Sequence, residues 1–167
     1  MNWTAAAAAL CLSACAGFWG AALLKKRARA LQTLVLLLER LELELGFSRA
    51  PLPDMLLRLQ TEPPFDSFGL LSVCCGRLRA GEPLRDAWLA GTQTLRPVLR
   101  DWECVRLRAA GDLLGATDLP GQQKLLLELL AFLRPCREQS LRQSAAGGRL
   151  CRVCGLCFGC TLFIMIL

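Results

Sequence analysis

Four cysteines near the end of this 167-residue sequence have the spacing that comes closest to a chemical site: Cys151, Cys154, Cys157 and Cys160. Bacterial ferredoxin runs begin in the same way, so an iron–sulfur or other metal site is one interpretation. Ferredoxin runs also place three residues before the last cysteine and a proline after it, and this sequence has neither. On a helix, nine residues turn by about 900°, so the first and last thiols would face opposite sides. We therefore favour a helix-packing stripe of small side chains over a metal or redox site.

Histidine is absent from the sequence, which removes the usual catalytic base and the commonest metal ligand. Cysteines in the middle of the chain are isolated or merely adjacent, and we interpret them as small buried hydrophobes: Cys74, Cys75, Cys104 and Cys136. The segment 111–115 (GDLLG) is not a phosphate-binding loop, because it lacks the Lys-Ser/Thr ending. The sequence therefore predicts a protein that is not an enzyme, with no cofactor and no small-molecule substrate.

Three glutamates, Glu39, Glu42 and Glu44, lie close together on a predicted helix. A solvated helix face accounts for them most simply, with Arg40 and Glu44 paired four residues apart. The alternative is an electrostatic docking surface for a cytoplasmic partner, and the three glutamates are the candidates for that role.

The composition is typical of a membrane protein with one modest domain: 54% of the residues are hydrophobic, 20% are charged, and the mean hydropathy is +0.39. Residues 2–24 contain no charge. A helix of that length measures roughly 34 Å, which is enough to span a bilayer. The basic run 25–29 (KKRAR) follows the apolar stretch, whereas a signal peptide has its positive charge first. We therefore predict an uncleaved transmembrane anchor at residues 1–24, with its basic side in the cytoplasm.

The C-terminal end is also apolar, and residues 153–167 contain no charge. If the helix extends back to Ala145, and if Arg149 and Arg152 reach the lipid headgroups, this stretch is long enough to span a bilayer. Its basic side also faces the cytoplasm, so we predict a hydrophobic membrane segment at residues 147–167 and a cytoplasmic domain at residues 25–146. The net charge of +6 favours lipid headgroups over nucleic acid, because no aromatic platform accompanies the cations.

The middle of the chain is predicted to be helical, because its leucines recur at spacings of three and four and no segment alternates with period two. The first helix is expected to continue from the anchor to Gly46, with an apolar stripe at Leu31, Leu34, Val35, Leu38, Leu41 and Leu45. The next three are expected at about residues 51–60, 65–79 and 83–93, with proline or glycine between them.

A fifth helix is predicted by another run of apolar residues spaced three or four apart: Leu99, Trp102, Val105, Ala109 and Leu113. The last helix is expected to start at a cap formed by Thr117 or Asp118 and to lie at the centre of the domain, and Pro135 predicts a kink or an early end. The predicted fold class is all-α: an antiparallel helical bundle of about six helices, flanked by an N-terminal and a C-terminal transmembrane helix.

Three stretches of the sequence are similar to one protein family. Residues 44–53, with ELGF and then PLP, resemble the first hairpin of that family. Gly81 with the pair 87–88 (AW) resembles the helix that bears its tryptophan. Residues 113–118 (LLGATD), followed by 122–123 (QQ), resemble its most specific motif, LG-x-[ST]-D…Q. With apolar ends on either side of a helical domain, the chain resembles stage III sporulation protein AB over essentially its whole length.

The resemblance implies a non-enzymatic component of the channel that links mother cell and forespore in endospore-forming bacteria. Its helical domain, similar to the cytoplasmic domain of type II secretion platform proteins, is expected to dock a cytoplasmic ATPase and to assemble with other membrane proteins of the sporulation channel. The domain is expected to face the mother-cell cytoplasm from the outer forespore membrane. Carried over position by position, Trp88 is a core anchor, Asp118 is a helix cap, and Gln123 braces the turn beside it.

Two alternatives stay open. A type II secretion or pilus platform protein usually has two copies of the domain and more membrane spans, whereas this sequence has no internal repeat. A cysteine-rich membrane redox protein would use the four C-terminal cysteines. A membrane-anchored assembly platform is therefore the favoured hypothesis.

Overall fold

The computed structural model describes the backbone of residues 3–47, 50–114 and 119–166, and the side chains of residues 15, 18–47, 50–114 and 120–147. Within these parts the chain forms six α-helices and no strand. In chain order they are α1 (Trp3–Phe47), α2 (Leu52–Leu59), α3 (Gly69–Arg79), α4 (Leu84–Gln93), α5 (Asp101–Leu113) and α6 (Leu119–Ile166). The prediction of an all-α protein is confirmed.

The chain divides into two compact units. The first unit consists of Met1–Arg29 and Glu138–Leu167, and the second of Ala30–Arg137. In the part of the chain that the structure describes, no helix has both the length and the apolar composition that crossing a membrane requires. The predicted membrane segments 1–24 and 147–167 belong to the first unit, and most of their side chains lie outside the described residues.

The first helix agrees with its prediction, since α1 runs without interruption from Trp3 to Phe47. Its predicted leucine stripe is buried in the core of the second unit, together with the apolar side of α6: Leu126, Leu129, Leu130 and Leu133. Burial of one leucine side chain contributes about 1.5–3 kcal/mol, so these two helices supply much of the stability of that unit.

The end of α3 shows why a glycine is needed between α3 and α4. Gly81 has a φ of 83°, a left-handed conformation that other residues rarely adopt. The Gly81 N–H donates to the Leu78 carbonyl (3.0 Å), and the Glu82 N–H donates to the Arg77 carbonyl (3.1 Å). These are the paired hydrogen bonds of a glycine-terminated helix, as the sequence predicts for this position.

The start of α3 differs from the prediction, because the helix begins at Gly69 and not at Phe65. The preceding residues form turns, in which Phe65 N–H donates to the Glu62 carbonyl (2.8 Å) and Phe68 N–H to the Phe65 carbonyl (3.0 Å). Both phenylalanine side chains are buried in these turns. The apolar spacing before Gly69 therefore reflects core contacts that are made without a helical turn.

The last helix passes through Pro135, so of the two outcomes predicted for this residue the early end is wrong and the kink stays a prediction. A proline inside a helix removes one hydrogen bond and crowds the carbonyl four residues before it, which costs about 3 kcal/mol. Leu133 and Cys136, on either side of the proline, are both buried in the core, and the Cys136 thiol donates to the Phe132 carbonyl (3.2 Å). Burial of this apolar stripe outweighs the local loss, and α6 continues.

Four of the five residues of the predicted apolar pattern lie on α5 and face the surface, although such a pattern usually marks the buried side; the fifth, Leu99, precedes the helix and is buried. The side chains of Trp102, Val105 and Leu113 are 47%, 65% and 48% exposed. A second set with similar spacing is buried instead: Glu103, Cys104, Leu107, Ala110 and Gly111. Gly111 leaves room for the ring of Trp88 on α4, which lies directly over it. The packing partner therefore decides which side of α5 is buried.

Candidate functional site

The acidic residues predicted as a docking surface lie on the part of α1 that belongs to the second unit. Arg134 on α6 pairs with Glu39 and donates a hydrogen bond from Nε to Oε1 (3.2 Å), and Arg58 on α2 donates from Nη2 to Oε2 of Glu44 (2.8 Å). Glu44 thus pairs with Arg58 and not with Arg40, which corrects the predicted pairing along the helix. Exposed pairs of this kind contribute about 0–1 kcal/mol, but they partly neutralise two of the three carboxylates.

The third carboxylate lies between these two ion pairs. Glu42 is half-buried, and the described residues form no ion pair with it. The neighbouring side chain, Leu43, is 51% exposed. It points away from the core because the helix turns by about 200° over two residues, while Leu41 and Leu45 face inward. The surface formed by these residues, called the α1 face below, comprises Glu39, Glu42, Leu43 and Glu44.

Trp88 joins α4 to α5 inside the second unit. Its side chain is 0% exposed, and its indole Nε1–H donates to the Leu107 carbonyl (2.9 Å). A Cβ atom at Gly111 would lie 2.5 Å from Cδ1 of the ring, so only glycine fits there without displacing the indole. A buried tryptophan with its N–H satisfied is a packing element, and no reacting group lies beside it in these contacts.

The other two residues carried over from the family resemblance concern the start of α6. Gln123 is half-buried, and its Nε2 would lie 3.6 Å from a Cβ atom at Gly46, near the end of α1. Gln123 therefore sits against the end of another helix as well as near the start of its own. Asp118 lies outside the described residues.

A groove open to solvent runs between α5 and α6 and is not predicted from the sequence. It has a volume of about 160 Å³, and its lining includes Arg106, Ala109 and Leu113 of α5 and Leu125, Glu128 and Leu129 of α6. Beside it, the rings of Trp102 and Phe132 pack edge to face, with centroids 5.4 Å apart. The only signal in the sequence is the 3-and-4 pattern of α5, and that pattern does not tell an exposed stripe from a buried one.

The cysteines in the middle of the chain are buried, as interpreted from the sequence: Cys74, Cys75, Cys104 and Cys136. Among the described residues, no group of three or more side chains could hold a metal ion. The side chains of the C-terminal run lie outside the described residues, and its interpretation as a helix-packing stripe stays a prediction: Cys151, Cys154, Cys157 and Cys160.

Two of the buried thiols lie next to each other on α3. Burial raises the pKa of the Cys74 thiol to about 12, and the neighbouring Cys75 adds to the rise. Burial also raises the pKa of Cys75, although the charge of Arg79 opposes it. The Cys75 thiol donates to the Leu56 carbonyl (3.4 Å). Because the thiolate is the reactive form, these two protonated thiols act as small apolar side chains at neutral pH.

The free energy of unfolding is expected to fall as the pH rises above about 9. Cys74 has an ordinary pKa of 9.0 in the unfolded chain and about 12 in the folded one, so between these values only the unfolded state has released the proton. Each pH unit in that range removes up to about 1.4 kcal/mol for this group. Urea denaturation of the full chain in detergent at about pH 8 and about pH 10 measures the loss. The Cys74→Ala variant should lose less over the same interval, and an equal loss would contradict the assignment to this thiol.

Comparison with known proteins identifies the fold and the family of this chain. No curated protein sequence matches the chain. A solved structure of stage III sporulation protein AB is similar to it, with a TM-score of 0.59 and 23% identity over 71% of this chain and 96% of the other. That likeness shows the fold. The family model of stage III sporulation protein AB matches residues 2–167, so the chain belongs to the stage III sporulation protein AB family and has a role in stage III of sporulation.

Proposed function

We propose that this chain is a non-enzymatic, membrane-anchored assembly platform of the channel between mother cell and forespore, and that its helical domain docks a cytoplasmic ATPase. The observation that carries the proposal is the extent of the family match, which includes both apolar ends together with the helical domain. The domain faces the mother-cell cytoplasm from the outer forespore membrane in this proposal, beside other membrane proteins of the channel.

Support for the membrane anchor comes from the side chains at the end of the first apolar stretch. Phe18, Trp19 and Leu23 are 60%, 72% and 55% exposed. Lys25 and Lys26, which follow Leu23 within one helical turn on α1, are exposed as well. Exposed aromatic and aliphatic side chains followed by cations are the pattern that a helix shows where it leaves the bilayer on the cytoplasmic side.

Support for docking comes from the α1 face. Leu43 offers an apolar contact, and the half-buried Glu42 beside it has no ion-pair partner among the described residues. The pairs of Glu39 with Arg134 and of Glu44 with Arg58 hold the carboxylates at the edges in place. An exposed apolar side chain beside one unpaired carboxylate fits a partner that presents an apolar contact with a basic group next to it.

Photo-crosslinking in sporulating cells tests both parts of the proposal. A photoreactive amino acid at Leu43 in the full chain is expected to give an adduct whose second component is identified by mass spectrometry as an ATPase. The chain and its adduct are expected in the membrane fraction, released only by detergent. Val73 on α3, which is 36% exposed, is the control position and should give no such adduct. Recovery of the chain without detergent would overturn the anchor, and the absence of an ATPase adduct at Leu43 would overturn the docking site.

A further inference from the structure

Apolar side chains of α5 beside the α5–α6 groove are exposed, and nothing in the described residues covers them. Trp102, Val105 and Leu113 lie along one side of α5 at helical spacing and are about half to two-thirds exposed. Single exposed hydrophobic residues are common on protein surfaces, but a stripe of three beside an apolar groove is typical of an interaction site. Tryptophan is also among the residues that contribute most to binding at interfaces.

The residues around this groove are held in place before any partner binds. Phe132 on α6 packs edge to face against Trp102, at an interplanar angle of 87°. The guanidinium carbon of Arg106 lies 5.4 Å from the centroid of the same phenylalanine ring, within the range of a cation–π contact. Because these side chains are already ordered, their docking loses less conformational entropy than the docking of free side chains.

The charges of the groove are opposite and unpaired. Arg106 lines it on α5 and Glu128 lines it on α6, and both side chains are exposed. Neither of them forms an ion pair with another residue of the described part of the chain. A two-fold axis brings one patch against an identical patch, so each Arg106 can meet the Glu128 of the second copy, and two equivalent ion pairs form.

We propose that the α5–α6 groove is the interface between two copies of this chain, related by a two-fold axis that runs along the groove, with one Arg106–Glu128 pair on either side of the axis and the exposed stripe of α5 within the contact. A partner of purely acidic or purely basic character would satisfy only one of the two charges, whereas a second copy satisfies both. The inference goes beyond the docking of an ATPase, because it concerns a different surface and a different partner.

The size of the patch determines how the dimer should be measured. A standard stable interface buries roughly 800 Å² and about 20–30 residues per partner, whereas the stripe and the groove lining together comprise nine residues. We therefore expect a dimer that forms at the local concentration of the full chain in the cell and that dissociates on dilution. Crosslinking in intact cells is the appropriate measurement.

A photoreactive amino acid at Val105, in the middle of the exposed stripe, is expected to give an adduct of twice the chain mass. Mass spectrometry of its peptides should identify this chain alone as both components. The same amino acid at Val73 is the control and should give no such adduct. An adduct of Val105 with a different protein, or within one chain, would overturn the proposal.

Charge reversal tests the two-fold geometry directly, with the yield of the homodimer adduct as the readout. Arg106→Glu and Glu128→Arg should each lower it by about tenfold, because both symmetry-related pairs become repulsive. Two differently tagged chains, one with each substitution, should crosslink to each other in the same cell, since both mixed pairs are attractive. The double variant in one chain should also recover the yield. The proposal would be overturned if each single variant formed a homodimer in the same yield as the mixed dimer of the two variants. Far-UV circular dichroism checks that each variant is folded.

Discussion

Replacement of Trp88 by alanine is expected to lower the free energy of unfolding by about 3–5 kcal/mol. The side chain is 0% exposed, so its removal leaves a cavity between α4 and α5. It also removes the hydrogen bond from the indole Nε1 to the Leu107 carbonyl (2.9 Å). Urea denaturation of the full chain in detergent, monitored by far-UV circular dichroism, measures the loss without relying on tryptophan fluorescence.

The matched control for this prediction is Trp102, a tryptophan on the surface of α5. It is 47% exposed, and its ring contact is with Phe132. Trp102→Ala is expected to lower the free energy of unfolding by only about 1 kcal/mol. Similar losses in the two variants would contradict the assignment of Trp88 as the anchor that joins α4 to α5.

The sequence is sufficient to predict the first helix because two observations agree there. Neither glycine nor proline occurs between Gly20 and Gly46, and the leucines from Leu31 onward recur at spacings of three and four. All of the stripe is buried as predicted. The same reasoning fails for α5, because that helix carries two stripes of suitable spacing, and spacing alone does not choose between them.

The choice between those stripes depends on contacts that are distant in sequence. Trp88 needs a helix surface without a side chain, and α5 provides it at Gly111. Once this side of α5 is buried, the other stripe, with Trp102 and Val105, is left on the surface. The exposed stripe is therefore a consequence of how α4 and α5 pack, and it becomes visible only in the folded chain.

The acidic site shows a similar division between what is local and what is not. The three glutamates are correctly expected on one stretch of helix, because helical spacing is a local property. The partner of Glu39 is not predicted and that of Glu44 is predicted wrongly, since Arg134 lies on α6 and Arg58 on α2. As a result, the predicted acidic surface carries less net negative charge than the sequence suggests, and it also includes the exposed side chain of Leu43.

The close contact between α3 and α4 also depends on a glycine. A Cβ atom at Gly91 would lie 2.6 Å from the backbone oxygen of Leu70 and 3.3 Å from the Cβ atom of Cys74. A backbone oxygen cannot rotate away as a side chain can. Any larger residue at Gly91 must therefore push α3 and α4 apart.

Gly91→Ala is expected to lower the free energy of unfolding by about 1–3 kcal/mol, even though alanine is the better helix former by about 1 kcal/mol. Gly76→Ala is the matched control, because Gly76 is exposed on α3 and nothing lies within 4 Å of a Cβ atom there. That variant should gain about 0.5–1 kcal/mol, since it improves the helix without a clash. Urea denaturation of the full chain with either substitution gives the sign of each change in the free energy of unfolding. If Gly91→Ala were stabilising as well, α3 and α4 could not be packed backbone against backbone at this point.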